Sequence, residues 1–366
     1  MKNTNKKRTE MVRQPREIII QGNRIIIGLL SILTVVAVGI VLYQIRSIIL
    51  PFALAVFITF ILNPMIEFFE KHRIPSFLAI IFALVITFLV LNFFGVMAYT
   101  SVKSFASEFP QYEERLNRIL SRVVQFLNIP QEVLDSENRT QDGINWLASV
   151  KDLSLHTIVL NTLGSIVNII SNSLLVLLFM LFIFIGRNQL VVKVKLAFEA
   201  QMANRIVEIL QNINAQIQKY LIAKTMISLA TGLLYAVVLS LFGVEFAIIW
   251  GILAFLLNFI PNIGSVIATI LPLSIAFLQF EGISTLIWLA LILSSIQFVI
   301  GNLIDPRVIG RSLNLSPLMV LFSLMFWGWL WGIIGMFLAV PLMVIIKIVF
   351  ENIESLRFIS VLMSAK

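Results

Sequence analysis

The sequence predicts an all-α polytopic membrane protein with about eight transmembrane helices, and with ten as the upper limit. Of its 366 residues, 59% are hydrophobic and 13% are charged, whereas a soluble domain is about half apolar and a quarter charged. Several apolar runs reach the roughly 20 residues that a helix needs to cross the hydrocarbon core of a bilayer. The sequence contains no cysteine, which excludes disulfides, thiol catalysis and cysteine metal sites.

The N-terminal half contains four predicted spans, at residues 25–43, 50–69, 76–100 and 165–186. Residues 1–24 are basic, and no small-residue cleavage site follows the first apolar run, so we expect a retained first span rather than a signal peptide. Because lysine and arginine are enriched in cytoplasmic loops, this basic N-terminus is expected in the cytoplasm, together with segment 187–224 and the tail 351–366. The mixed-charge insertion 101–164 is then extracytoplasmic.

Two further segments place apolar residues at helical spacing, with charged residues on the opposite face. They are residues 104–127 and 197–221, which we interpret as amphipathic helical insertions. Such helices lie on the membrane surface, pack on their own chain or contact a neighbouring subunit. The last of these options makes a homo-oligomer the expected assembly.

The predicted transport core is residues 225–350, in which several apolar runs are short and interrupted. Its candidate spans are residues 225–242, 246–261, 263–280, 284–303, 315–330 and 332–350. Glycine and proline interrupt "NFIPNIGSVIATILP" (258–272) and "FWGWLWGIIGMFLAVP" (326–341). Broken or re-entrant helices survive in a bilayer only where they are buried in protein or line a cavity, and paired interruptions point to transporter binding sites. Ten full spans, and eight spans with one or two re-entrant hairpins, both fit the sequence.

The motifs of several catalytic classes are missing from the sequence. No Gly-Lys dipeptide occurs, which excludes a Walker A phosphate cradle, and there is neither an H-E-x-x-H nor a G-x-S-x-G motif. We therefore expect no enzyme, no cofactor and no metal site. The net charge of +8 is explained by cytoplasmic loops enriched in lysine and arginine, so the expected partner is the lipid bilayer and not nucleic acid.

The first candidate site is a break in the apolar run near residue 260. Asn258 and Asn262 flank Pro261, and Gly264 follows. A proline frees a backbone carbonyl, and asparagine side chains can satisfy the break or present dipoles to a solute. A plain turn between helices is the alternative.

The second candidate site is "GNLIDPRVIGRSLNLSP" (301–317), a polar stretch between two apolar runs. Asp305 can pair with Arg307 or Arg311, while Pro306 ends the preceding helix and Gly310 permits a tight turn. This pattern fits two interpretations. One is a structural ion pair in a cytoplasmic loop, and the other is a gate or a coupling site.

Few other charges occur in the core, and charges at membrane depth commonly mark a pathway. Those between residues 225 and 350 are Glu245, Glu281, Asp305, Arg307, Arg311 and Lys347. Glu281 is the second carboxylate candidate, although its short external turn also fits an interfacial role. Lys347 lies near a helix end, and we expect it to extend to the interface as an anchor.

The stretches "IPNIGSVIATILP" (260–272), "GNLIDPRVIGRSLNLSP" (301–317) and "LMFWGWLWGIIGMFLAVP" (324–341) resemble the autoinducer-2 exporter (AI-2E) family of PerM-type permeases. The resemblance implies a multi-pass protein of the bacterial plasma membrane. Some members are associated with export of the quorum-sensing furanone autoinducer-2, and others with sodium or lithium efflux against protons. The motif residues that it carries over are Pro261, Asn262, Gly264, Gly301, Asn302, Pro306, Gly310 and Pro317.

Three functions follow as hypotheses. The first is a secondary exporter of a small polar solute such as autoinducer-2, bound by Asn258, Asn262, Asn302 and Trp327. The second is a sodium or lithium/proton antiporter, in which a carboxylate both binds the ion and titrates, with Asp305 as the first candidate and Glu281 as the second. The third is an oligomeric pore or scaffold without active transport.

Overall fold

The computed structural model describes residues 28–126 and 155–365, except for positions 31, 32, 35, 281 and 310–313. Over these residues the chain is helical and has no β-strand beyond an isolated bridge between Leu315 and Ser364. Five of the described helices are long and apolar enough to cross a membrane, or six if the bent pair Asn172–Arg187 and Gln189–Ala197 counts as one span. The predicted fold class, an all-α polytopic membrane protein, is confirmed.

Nine helices are numbered here in chain order. They follow a first helical stretch described between residues 28 and 44. Their bounds are α1 Arg46–Lys71, α2 Ser76–Phe126, α3 Leu155–Ala197, α4 Ala200–Leu241, α5 Ala247–Leu257, α6 Ile263–Gln279, α7 Ile283–Val308, α8 Pro317–Glu351 and α9 Arg357–Met363.

Helices α1, α2 and α3 pack together into an N-terminal bundle. Ala55, Ala79 and Ala83 are buried where these helices meet, and such small side chains allow close approach of helices in a membrane. Arg187 on α3 forms an ion pair with Glu70 on α1. Both side chains are partly exposed, and the pair lies at the C-terminal end of α1.

The two predicted amphipathic segments are continuous with spans, which makes α2 and α4 longer than the sequence predicts. The predicted span 76–100 and segment 104–127 form one helix, α2, of 51 residues. Segment 197–221 and span 225–242 similarly form α4, of 42 residues. At 1.5 Å per residue α4 is about 63 Å long, roughly twice the hydrocarbon core. The expectation of a separate amphipathic helix ending at residue 224 is wrong.

Helices α5 and α6 form a helical hairpin, called the first hairpin, at residues 247–279. Helix α5 has only 11 residues, about 17 Å, and is too short to cross the bilayer. The arms meet closely at the tip, since a Cβ on Gly264 would lie 1.8 Å from the carbonyl oxygen of Leu257. Ten full spans are therefore excluded, and the break predicted near residue 260 is confirmed.

Helix α8 is one of the five by length, but it is interrupted and forms a second hairpin, at residues 317–351, rather than one straight span. Its backbone reverses at Gly332, where φ is 67° and ψ is −146°. The Ser323 hydroxyl donates to the carbonyl oxygen of Ala339 over 2.8 Å. In an unbroken helix these two residues, 16 positions apart, would be separated by about 24 Å, so the chain folds back on itself. A Cβ on Gly335 would lie 1.9 Å from the carbonyl oxygen of Trp327, as at the first tip.

The tip of the first hairpin rests on the second hairpin in the core of the protein. The rings of Phe259 and Phe337 lie with centroids 4.4 Å apart. Ile260 packs in one cluster with Trp327 and Trp331 of the second hairpin. The two interrupted segments of the sequence are thus brought into contact.

Candidate functional site

A polar cavity of about 570 Å³ lies between the first hairpin, α4 and α7. Its size falls within the range of pockets that bind small molecules. The wall is rich in amide and hydroxyl groups and includes two charged side chains. The lining residues are Lys224, Asn258, Ile260, Pro261, Asn262, Ser265, Val266, Thr269, Ile270, Ser294, Gln297, Phe298, Gly301, Asn302 and Asp305.

The structure brings both candidate stretches of the sequence to this cavity. From the first stretch come Asn258, Pro261 and Asn262, and from the second come Asn302 and Asp305. Gly264 is buried behind the tip, whereas Pro306 and Arg307 are exposed and do not line the cavity. The remaining candidates, Glu281, Gly310 and Arg311, lie outside the described residues.

The backbone of Asn262 forms the reversal at the tip of the first hairpin, and Asn258 attaches the tip to α4. Asn262 has a φ of 60°, which asparagine tolerates better than most residues, and it marks the reversal after Pro261. The Asn258 side chain is 6% exposed and donates to the Ser228 hydroxyl on α4 over 3.0 Å. The polar group introduced by the break is therefore satisfied by a neighbouring helix.

Helix α7 widens into a π-helix where it borders the cavity. Residues Ile300–Ile304 form this π-helix, which ends with the Asp305 N–H donating to the carbonyl oxygen of Ile300. Such wide turns are rare and occur frequently at functional sites. Gly301, Asn302 and Asp305 in and beside it line the cavity.

A buried ion pair closes one side of the cavity. The Lys224 ammonium lies 2.7 Å from Oδ2 of Asp305, and the two side chains are 5% and 23% exposed. The other carboxylate oxygen, Oδ1, is buried and has no hydrogen-bond partner among the described residues. A buried charge is tolerated when it is paired with an opposite charge, as Lys224 and Asp305 are here.

The partner of Asp305 differs from the sequence-based expectation. Pairing with Arg307 is wrong, since that side chain is exposed and Asp305 faces Lys224 across the α4–α7 contact. The sequence analysis does not single out Lys224, because this residue is the last one of segment 187–224, which is predicted to be cytoplasmic. A signal was present: in "YLIAKTMI" the lysine is the single charge within an apolar run.

Two other expectations for side chains are corrected. Lys347 is not an interfacial anchor, because it is 6% exposed and donates to the carbonyl oxygen of Asn314 over 2.9 Å. Trp327 does not line the cavity; it is buried with its ring 4.7 Å from that of Trp331. The aromatic ring in the cavity wall belongs to Phe298.

Behind the cavity, Tyr235 joins three elements. Its side chain on α4 is fully buried. The hydroxyl lies 2.8 Å from Oγ1 of Thr269 on α6, and 3.3 Å from the carbonyl oxygen of Leu293 on α7. A longer contact of 3.5 Å reaches Oε1 of Gln297. Because Thr269 and Gln297 line the cavity, Tyr235 fixes the spacing between its two walls.

Replacing Tyr235 by phenylalanine is expected to lower the free energy of unfolding by about 1 kcal/mol, the net worth of a buried hydrogen bond. We also expect a higher KM for transport, since the walls lose their common partner. Thermal unfolding and flux in proteoliposomes measure the two effects. Tyr43→Phe is the control, because Tyr43 is 43% exposed and does not line the cavity. Equal effects of the two variants would contradict the proposed role of Tyr235.

A family model described as AI-2E family transporter matches residues 30–355, which include both hairpins, Lys224 and Asp305. The chain belongs to the AI-2E transporter family. The resemblance stated from the sequence motifs is therefore confirmed, and this AI-2E transporter is a multi-pass membrane protein.

Two relatives are similar to this chain over most of their length. This AI-2E transporter is 35% identical over 352 residues to the AI-2 transport protein TqsA of Escherichia coli K12, covering 95% of this chain and 97% of TqsA. It is 32% identical over 339 residues to a protein of Haemophilus influenzae, covering 90% and 93% of the two chains. The name of that protein describes it as a transport protein and gives no substrate.

Proposed function

We propose that this AI-2E transporter is a secondary exporter of a small, polar, weakly charged or uncharged solute such as autoinducer-2. The observation that carries the proposal is the polar cavity of about 570 Å³ at the helix breaks of α5–α6 and α7. The name of TqsA gives autoinducer-2 as what that relative transports, and its 35% identity supports the same substrate here. The lack of a Walker A motif supports secondary transport.

The wall of the cavity suits an oxygen-rich ring. Amide and hydroxyl side chains both donate and accept hydrogen bonds, as Asn262, Ser265 and Gln297 would towards a furanone. Phe298 and Val266 supply apolar contact. In this proposal the Lys224–Asp305 pair binds the most polar substituent, because hydrogen bonds to charged groups are the stronger ones.

The ion pair also favours a second candidate, exchange of a monovalent cation for a proton. A sodium or lithium ion that binds the free oxygen of Asp305 competes with Lys224 for the carboxylate. In this hypothesis the carboxylate of Asp305 binds the cation and a proton in turn. One cation enters as one proton leaves, so the net charge of the site is conserved.

We further propose a bacterial plasma-membrane location with both termini in the cytoplasm, supported by the basic residues before the first span. A homo-oligomer is proposed as well, supported by the parts of α2 and α4 that extend beyond a membrane's thickness. Native mass spectrometry of the purified protein measures the number of subunits.

The test of function is transport in proteoliposomes loaded with autoinducer-2. We expect saturable efflux, lowered at least tenfold in Asn302→Ala. The matched control is Asn352→Ala, because each asparagine donates its side-chain N–H to the carbonyl oxygen four residues earlier, and Asn352 lies outside the cavity. Efflux that rises linearly with concentration, without saturation, would instead support the pore hypothesis.

The same vesicles, carrying a pH-sensitive dye, test the second candidate. Proton movement that depends on sodium or lithium and is lost in Asp305→Asn would establish antiport. Glu354→Gln is the control, since that carboxylate is exposed on a short helix after the second hairpin. No cation-dependent signal would leave the exporter as the function.

A further inference from the structure

The base of the first hairpin, the end opposite its tip, is closed by the side chain of Gln279. Its Oε1 accepts a hydrogen bond from the backbone N–H of Glu245 over 2.9 Å, and its Nε2 donates to the carbonyl oxygen of Gly243 over 2.7 Å. Gly243 and Glu245 lie in the loop between α4 and α5, and Gln279 is the last residue of α6. The end of α6 is thus tied to the loop that precedes α5.

Arg115 of α2 contacts this base from outside the hairpin. Its Nη1 donates to the carbonyl oxygens of Leu278 and Gln279, over 3.3 and 3.1 Å. The last carbonyl groups of a helix have no N–H partner within it, and they form the negative end of the helix dipole. A guanidinium at this position therefore satisfies two acceptors and places a positive charge where the dipole favours it.

Helix α2 supports both arms of the first hairpin. Besides the contact of Arg115 with α6, the ring of Phe94 stacks on that of Phe255 in α5, with centroids 6.1 Å apart. The arm α6 carries one wall of the polar cavity, which includes Thr269 and Ile270. A contact that holds the end of α6 on α2 therefore acts on the position of this wall.

We propose that Arg115 is a positioning residue for transport, which fixes the direction of α6 and with it one wall of the cavity. Thr269 is attached to Tyr235, and Arg115 holds α6 at Leu278, nine residues or about 13 Å farther along the helix. Two separate attachments fix the direction of a helix. Without Arg115 we expect α6 to tilt about Thr269, so that the distance from Ile270 to α7 varies. The consequence for transport rests on the proposed function, whereas the tilt does not.

The tilt is measured with a pair of spin labels, which the absence of cysteine from the sequence permits. Nitroxides are attached at Ile270→Cys on α6 and Ser294→Cys on α7, two exposed positions on opposite walls of the cavity. We expect Arg115→Gln to at least double the width of the distance distribution between the labels. Arg115→Lys keeps a cation at the helix end and is expected to restore most of the narrow distribution. Lys103→Gln, which removes an exposed charge from the same helix, is the matched control.

Transport kinetics separate a positioning role from a structural one. If only a fraction of the molecules has the cavity walls correctly spaced, the apparent affinity for the solute falls by that fraction. In proteoliposomes loaded with autoinducer-2 we therefore expect Arg115→Gln to raise KM at least fivefold and to change kcat less than twofold. Arg115→Lys is expected to recover most of the affinity. Loss of folded protein would instead lower the maximal rate and leave KM unchanged.

Two outcomes would overturn the proposal. A distance distribution as narrow in Arg115→Gln as in Lys103→Gln would show that Arg115 does not fix the direction of α6. A broader distribution with an unchanged KM would show that the contact is structural only. If the unsubstituted protein showed no saturable efflux, the proposed function would be wrong, and the labels alone would decide whether Arg115 positions α6.

Discussion

Changing Asp305 to asparagine is expected to lower the free energy of unfolding by about 3–5 kcal/mol and to abolish transport. The physical reason is the partner, since Lys224 is 4% exposed and would lose its counter-ion. Breaking a buried pair by removing one partner typically has an effect of this size. Lys224→Gln is expected to destabilise less, because the remaining carboxylate of Asp305 is 23% exposed and reaches the cavity.

The double variant Lys224→Gln with Asp305→Asn separates stability from function. Replacing both charges removes the uncompensated ion, so we expect most of the lost stability to return. Transport is expected to stay absent, because neither solute nor cation then finds a charged group in the cavity. Thermal unfolding followed by tryptophan fluorescence, and flux in proteoliposomes, measure the two properties on the same preparation. Transport that recovers together with stability would show that the pair is structural only.

The partly exposed ion pair of the bundle supplies a matched control for these variants. The side chains of Arg187 and Glu70 are 24% and 27% exposed, whereas that of Lys224 is 5% exposed, so water screens the charges of the bundle pair better. Glu70→Gln is therefore expected to change the free energy of unfolding by at most about 1 kcal/mol. If Glu70→Gln lowered the free energy of unfolding as much as Asp305→Asn, burial of Lys224 would not explain the large effect at Asp305.

The sequence predicted the hairpins because their breaks are local. Pro261 and the glycines near residues 264 and 332 interrupt apolar runs too short to cross a bilayer, and such interruptions can be read from consecutive residues. The partner of Asp305 could not be read in this way, since Lys224 lies 81 residues away. Local charge patterns offered Arg307 instead, and only the packing of α4 on α7 decides between them.

The continuity of α4 shows a second limit of sequence patterns. Hydropathy changes from amphipathic to apolar near residue 222, which predicted a boundary between a surface helix and a span. The backbone is not interrupted there, because no glycine or proline occurs between residues 200 and 231. The sequence thus shows where the environment of a helix changes. Whether the helix also ends there depends on the presence of a helix breaker such as glycine or proline.

Adding a single methyl group at either hairpin tip is expected to disrupt folding. A Cβ at Gly264 or Gly335 would lie 1.8 or 1.9 Å from a backbone carbonyl oxygen, which cannot move aside as a flexible side chain can. Overpacking a core typically destabilises by about 1–3 kcal/mol. Because these contacts involve backbone in both arms, we expect Gly264→Ala and Gly335→Ala to reach or exceed the upper end of that range.

Gly39→Ala provides the matched control, since nothing lies within 4 Å of the added Cβ in that helix. Alanine is the better helix former there, so the control is expected to be neutral or to stabilise by up to about 1 kcal/mol. Thermal unfolding in detergent compares the three variants. A Gly264→Ala protein as stable as the control would mean that the arms of the first hairpin separate without loss. The polar wall carrying Asn258 and Asn262 would then not depend on close packing at the tip.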